Sequence, residues 1–205
     1  MMTTELKEVL SATNSVLLIG PLAKEIPQGN FDFTVFVDGG CHLRAKEHTN
    51  TSSLSVGDGD SCPPNTKLDY MIPTEKDHSD LAYILRHLPK KLATLELHGF
   101  IGGRIDHQLA VFGEVFNYLK ASETPSAVFD RQAAELLNKG KHSRNINGLF
   151  SLMTLEPTEV SLSGDTKYKV EPSAVLQPFS SHALSNEGRG DIQITNSLPL
   201  LLIRS

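Results

Sequence analysis

Five carboxylates, Asp58, Asp60, Glu75, Asp77 and Asp80, fall within 23 positions directly after the apolar run Leu54-Ser55-Val56. An apolar strand that stops at Gly57 delivers Asp58 and Asp60 to a turn, and side chains two apart in extended chain share a face. Ser79 is suited to cap a helix that starts at Asp80 and continues through Leu81 to Leu88, so the second acidic group lies in a loop entering a helix N-terminus. Carboxylates this close repel and raise one another's pKa unless a cation neutralises them, which makes a hard divalent metal, magnesium, the natural partner. An isolated Asp-x-Asp is often only a solvated loop, so the weight falls on what the rest of the chain places nearby.

Two further apolar runs end in the same way. Val35-Phe36-Val37 stops at Asp38-Gly39-Gly40, and Leu92 to Leu97 stops at His98-Gly99, ahead of Gly102-Gly103-Arg104-Ile105-Asp106-His107. Open α/β sheets bind ligands at the C-terminal ends of parallel strands, so these three strand ends are expected to meet at one site. The Gly39-Gly40 turn is either a phosphate-facing loop or a tight turn that needs glycine. Arg104 offers forked donors to phosphate, with an ion pair to Asp106 as its plain alternative. His78 and His107 flank the carboxylates, and packed, structural histidines are the simpler reading of both.

Asp-Gly-Gly at 38–40, Gly-Asp-x-Asp-Ser at 57–61, Glu-Lys-Asp-x-Ser-Asp at 75–80 and Gly-Gly-Arg-x-Asp-His at 102–107, in this order and at these intervals, resemble the thiamine pyrophosphokinase family. The resemblance implies transfer of a diphosphate from ATP to the hydroxyethyl group of thiamine, giving thiamine diphosphate and AMP. It implies Mg2+ held by Asp38, Asp58, Asp60 and Asp80, and catalytic roles for Asp58, Asp60, Asp77, Asp80, Arg104 and Asp106. Asp77 would act through water or orient Lys76, and Asp106 would recognise the aminopyrimidine. Nucleotide and acceptor contacts are expected from Asp38, Gly39, Gly40, Lys76, Gly102, Gly103 and Arg104, and from Tyr168, Ser185 and Asn186 in the second half. There Phe150-Ser151-Leu152 is similar to the strand that opens the family's β-sandwich, Ser185-Asn186-Glu187 to its Ser-Asn signature, and Gly164 to Tyr168 to its Gly-Leu-Lys-aromatic segment with one residue inserted. Gly59 replaces a bulky apolar residue of the family pattern and is expected to loosen the metal loop, and tryptophan is absent from the chain.

Alternation of strand and helix predicts an α/β domain with a mostly parallel sheet over residues 1–140. Strands are expected at 15–19, 34–37, 54–56, 69–72, 92–97 and 126–129, and helices at 42–48, 81–88 and 108–119, with a short helical stretch from Gln132 to Leu137. The second helix of the site draws on Leu109, Phe112, Val115, Phe116 and Leu119 at helical spacing. Residues 146–205 read as a small antiparallel β-sandwich, which by resemblance binds thiamine and forms a homodimer. The same dimer would cover the apolar C-terminal run Leu198 to Ile203. A net charge of −5 offers no basic stripe for nucleic acid. No apolar run approaches the roughly 20 residues of a membrane span. Cys41 and Cys62 are too few and too far apart in sequence for a zinc site or disulfide framework, and with no signal peptide in view a reducing cytoplasm fits best. Rival readings are a diphosphokinase for another alcohol such as a hydroxymethylpterin, a non-catalytic nucleotide-binding homologue, and a nucleotide-sugar transferase, which leaves the motifs at 75–80 and 102–107 unexplained. Asp58→Asn or Asp80→Asn is expected to remove activity and, by relieving repulsion, to stabilise the metal-free fold.

Overall fold

Strands buried on both faces must be apolar at nearly every position, and the first two strands of this chain are. In the computed structural model, which describes residues 2–46, 52–64 and 66–205, β1 (Ser15–Ile19) is buried at four of five positions and β2 (Phe33–Val37) at all five. The chain divides into two compact units, residues 1–131 and 132–205.

The first unit begins with α1 (Met2–Ser11), where Leu6 and Leu10, one turn apart, are fully buried. It continues through β1, β2, a 3-10 helix (Asp38–Lys46), β3 (Ser52–Gly57), β4 (Tyr70–Met71), α2 (Asp80–His87), β5 (Thr94–His98), α3 (Ile105–Lys120) and β6 (Ser126–Phe129). Its strands lie in the order β6-β5-β1-β2-β3-β4, and every pair is parallel. Two registers position the site. Val37 pairs with Val56, which sets Asp38 beside Gly57, and Ile19 pairs with His98, which sets the turn after β1 beside Gly99-Phe100. The expected helix at 42–48 is a 3-10 helix that already starts at Asp38, while Glu47 and His48 lie outside the described residues. Of the apolar positions assigned to α3, Phe112, Val115, Phe116 and Leu119 are buried, whereas Leu109 is 47 % exposed.

The second unit holds β7 (Ala134–Leu137), β8 (Gly140–Met153), β9 (Thr158–Thr166), β10 (Val170–Leu176), β11 (Asn186–Asn196) and β12 (Leu200–Arg204). They form one antiparallel ladder in the order β10-β9-β11-β8-β12-β7. An antiparallel second half is therefore present, as one continuous ladder with a core built from Ile146, Phe150, Leu162, Ile194 and Leu202 among others.

Three expectations need correction. The stretch 132–137 is not helical: Asp130, Arg131 and Gln132 have φ of 42°, 56° and 78°, which no right-handed helix can propagate, and the fully buried Ala134–Leu137 pairs with β12 instead. The first compact unit ends at Arg131 and the second begins at Gln132. The C-terminal strand needs no external cover, since β12 is paired on both sides, by β7 and β8, and Leu200 to Leu202 are buried. Finally, Cys41 and Cys62 form a disulfide, because the β2–β3 register brings the two strand-end turns together across 21 residues of sequence.

Candidate metal and diphosphate site

The site is built on the ends of β2 and β3 and the start of α2. Asp38 follows the last residue of β2 and takes a φ of 52°, a left-handed turn that aspartate tolerates better than most residues. The positive φ thus belongs to Asp38; Gly40 is needed for space, since any side chain there would run into the backbone of Ile19. After β3 the chain turns at Asp58. Gly59 has φ of 87°, so the glycine that departs from the family pattern supplies a backbone conformation that a bulky residue would resist. Asp80 enters α2 behind the N-cap Ser79, whose hydroxyl accepts the Ala82 N–H at 3.1 Å, and Asp80 itself is buried.

These three elements bring Asp38, Asp58 and Asp80 together, each with a carboxylate oxygen within 4.8 Å of the others. The Asp58 N–H donates to Asp80 Oδ2 at 3.3 Å. Lys76 reaches into the group and donates to Asp58 Oδ2 at 2.8 Å and to Asp80 Oδ1 at 2.9 Å, with its side chain 11 % exposed. The charges are not equally served. The Lys76 hydrogen bond holds the Asp58 carboxyl below its usual range. Burial, and then the charge of Asp80, push Asp38 up. Burial alone would lower the Lys76 ammonium, but its bonds to Asp58 and Asp80 outweigh it and the net shift is upward. Asp38 Oδ1 is buried with no hydrogen-bond partner. A carboxylate oxygen without a donor, beside two further carboxylates, is a donor set suited to a hard divalent cation.

Not every expected ligand joins the cluster. Asp60 is exposed and its Oδ1 accepts the Ser61 hydroxyl at 2.7 Å, although it lines the same cavity; Asp77 is exposed and lies outside that lining. The cavity measures about 570 Å3, and its lining includes Pro21, Leu81, Phe100, Ala110 and Val111 together with Asp106 and His107. The apolar wall, and Phe100 above all, was not read from sequence; its signal was an aromatic directly after the strand-end Gly99. Arg104 and Asp106 form a two-pronged ion pair, Nε–Oδ1 at 3.1 Å and Nη2–Oδ2 at 2.6 Å, both side chains mostly exposed. The Arg104 hydrogen bond draws the Asp106 carboxyl down to about 2. Gly102 N–H is taken by Gln108 Oε1 at 3.0 Å, a residue that no motif singled out. Gly103 and Arg104 line a smaller neighbouring cavity with Leu22 and Phe100.

In the second unit Asn186 is buried and spends its amide internally. Its Oδ1 accepts the Tyr168 N–H at 3.1 Å and the Thr166 hydroxyl at 2.9 Å, and its Nδ2 donates to the Tyr168 carbonyl at 2.7 Å. Asn186 therefore fixes the Tyr168 backbone and leaves the ring 57 % exposed beside a cavity of about 260 Å3. Ser185, at φ of 53°, donates its N–H to Ser151 Oγ. The ladder slips at the inserted segment, where Gly188 pairs with Thr166 but Ile192 with Gly164.

Among the described residues no helix is long and apolar enough to cross a membrane. No protein-family model matches the chain, and no curated protein sequence matches it. Solved structures do. A thiamin pyrophosphokinase family protein from Enterococcus faecalis superposes with a TM-score of 0.68 at 22 % identity, over 93 % of this chain and 99 % of its own. The thiamin pyrophosphokinase of Bacillus subtilis gives 0.67 at 17 % over 93 % and 98 %. That of Candida albicans gives 0.70 at 15 % over 92 % and 88 %. Likeness of this extent at such low identity speaks for architecture: the chain has the fold of the thiamin pyrophosphokinases.

Proposed function

We propose that the protein is a thiamine diphosphokinase, which moves the terminal diphosphate of ATP onto the hydroxyethyl oxygen of thiamine and releases AMP. The observation that carries this reading is the Asp38–Asp58–Asp80 cluster, with its partnerless buried oxygen, at the strand ends of a cavity large enough for a nucleotide polyphosphate. Those three carboxylates would hold Mg2+, with Asp60 at the rim, and the bound ion supplies charge neutralisation across phosphate oxygens. Diphosphoryl transfer otherwise asks for positioning: the acceptor oxygen bonds to the β-phosphorus as the bond from that phosphorus to the α,β-bridging oxygen breaks. Lys76, already aimed at the cluster, donates to the migrating oxygens. Arg104 turns from Asp106 toward phosphate, which frees the Asp106 carboxylate for the cationic acceptor. Phe100 and its apolar neighbours exclude water. The Gly39-Gly40 turn is read as a backbone contact to the nucleotide.

The second unit we read as closing into a β-sandwich that carries acceptor-binding and dimer-forming surface, with the exposed Tyr168 ring as a π face for the thiazolium. Incubation with ATP, Mg2+ and thiamine should yield AMP and thiamine diphosphate in equal amounts. Formation of AMP only when a hydroxymethylpterin replaces thiamine would reassign the acceptor, and failure with every acceptor would refute the reading.

A further inference from the structure

The disulfide between Cys41 and Cys62 joins the two turns that carry the cluster. Cys41 stands three residues after Asp38, and Cys62 four after Asp58. Asp38 and Asp58 are carboxylates that repel in the absence of a cation. Besides its internal bonds, from Asp60 N–H to Asp58 at 3.3 Å and from the Ser61 hydroxyl to Asp60, the Asp58–Ser61 turn is held from outside by Asp80 and Lys76 through Asp58, and the disulfide adds a covalent tie directly to the Asp38 turn. Cys41 is buried, at 3 % exposure, while Cys62 is only partly covered and open to attack.

We propose that this pair is a redox modification site whose substrate is a dithiol, and that its state sets the affinity of the cluster for divalent cations. The inference rests on the reading of Asp38, Asp58 and Asp80 as a cation site. In the reductive step a thiolate of the dithiol attacks Cys62 Sγ, forms a mixed disulfide and expels the Cys41 thiolate. The second thiolate of the dithiol then attacks the mixed disulfide and releases the Cys62 thiolate. Two electrons pass from the dithiol, which ends as its own disulfide, and both cysteines take protons from water. With the link gone, the Asp58 turn is free to relax away from Asp38, and the ordering that the link had supplied must be supplied by the ion. Binding weakens. Because coupling between two sites is reciprocal, a bound cation must in turn make the disulfide harder to reduce by the same factor.

The test uses Mn2+ alone as probe, so that no nucleotide or acceptor enters. Mn2+ affinity is measured by calorimetry for the wild-type protein oxidised, after reduction with dithiothreitol, and after reoxidation, with alkylation and mass measurement counting free thiols. We expect roughly 5-fold or more weakening on reduction, within the usual range of coupling between sites, and recovery on reoxidation. Titration in dithiothreitol redox buffers should give a potential lower with Mn2+ than without it, by about 30 mV for a tenfold coupling. A Cys41→Ser/Cys62→Ser protein should match the reduced form and ignore the buffer. Equal affinity in both redox states, or a potential that Mn2+ does not move, overturns the inference while the cation site stands. Absence of Mn2+ binding in either state overturns the cation site and the inference with it.

Discussion

Lys76 is the residue whose position changes the electrostatic reading of the site. Mutual repulsion of the aspartates predicts that removing any one of them stabilises the metal-free fold, but Lys76 already balances Asp58 and Asp80. Lys76→Met should leave those two carboxylates nearly buried without a counter-ion and cost about 1–3 kcal/mol of metal-free stability, below the figure for breaking a fully buried pair because backbone N–H groups still serve both and neither is wholly buried. It should also tighten Mg2+ binding, since the ammonium no longer competes for the same oxygens. Thermal melts with and without Mg2+ check this, and an equal loss in both conditions would contradict it. The unrelieved cost belongs to Asp38, from burial first and the charge of Asp80 second. Its folded pKa is raised, so its contribution to stability is present below the unfolded carboxylate pKa and is lost as pH rises through the folded value. Asp58 is the opposite case: its pKa is lowered, and its contribution is present above the unfolded pKa and lost as pH falls through the folded one. Asp38→Asn should therefore raise the metal-free melting temperature at pH 7 and lose that advantage near pH 3, whereas Asp58→Asn should lower it at pH 7. Both should abolish activity. Matching pH profiles for the two variants would refute the division of roles.

At the level of elements, the turn after β3 was legible in its carboxylates and illegible in its backbone. Gly59 reads from sequence as a missing side chain that loosens the loop, yet at φ of 87° it is what allows the turn to form. Gly59→Ala should thus cost about 1–2 kcal/mol through the left-handed backbone alone, and weaken cation binding rather than firm the loop. Tighter Mn2+ binding with unchanged stability would show that the glycine is a defect. The same limit governed other misreadings. Val35 to Val37 and Leu54 to Val56 announce buried parallel strands because both faces must be apolar, and a polar residue at their ends is then visible as site chemistry. The stretch Gln132 to Leu137 has helical composition, and what excludes the helix is the positive φ of Asp130 to Gln132 and the pairing of Ala134–Leu137 with β12, neither of which composition encodes. The Cys41–Cys62 pairing follows from strand register, which no spacing in the sequence encodes. Lys76, in turn, was legible as a phosphate donor but not as the internal counter-ion of Asp58 and Asp80, because that role depends on where α2 begins relative to β3.

At the scale of the whole molecule the question is what the second unit does with its apolar surface. Its C-terminal strand needs no partner, since β12 is paired on both sides within the ladder. A different observation takes its place. Of the ten large hydrophobic side chains exposed among the described residues, five, Leu149, Tyr168, Val175, Phe179 and Leu184, belong to residues 132–205, barely more than a third of the chain. Exposed apolar side chains are the material from which an interaction surface is built. The simplest occupant is a second copy, and a twofold axis makes each side chain count twice, once from either protomer. Wild-type protein should therefore sediment as a homodimer at micromolar concentration. A Leu149→Glu/Phe179→Glu protein, which places four new charges in a twofold interface, should weaken association by at least about 100-fold, corresponding to roughly 3 kcal/mol. Its Mg2+-dependent rise in melting temperature should persist, because the carboxylate cluster lies wholly within the first unit. A monomeric wild-type protein, or a double variant that still dimerises with full affinity, would remove these side chains from any self-association and leave their exposure to a different partner.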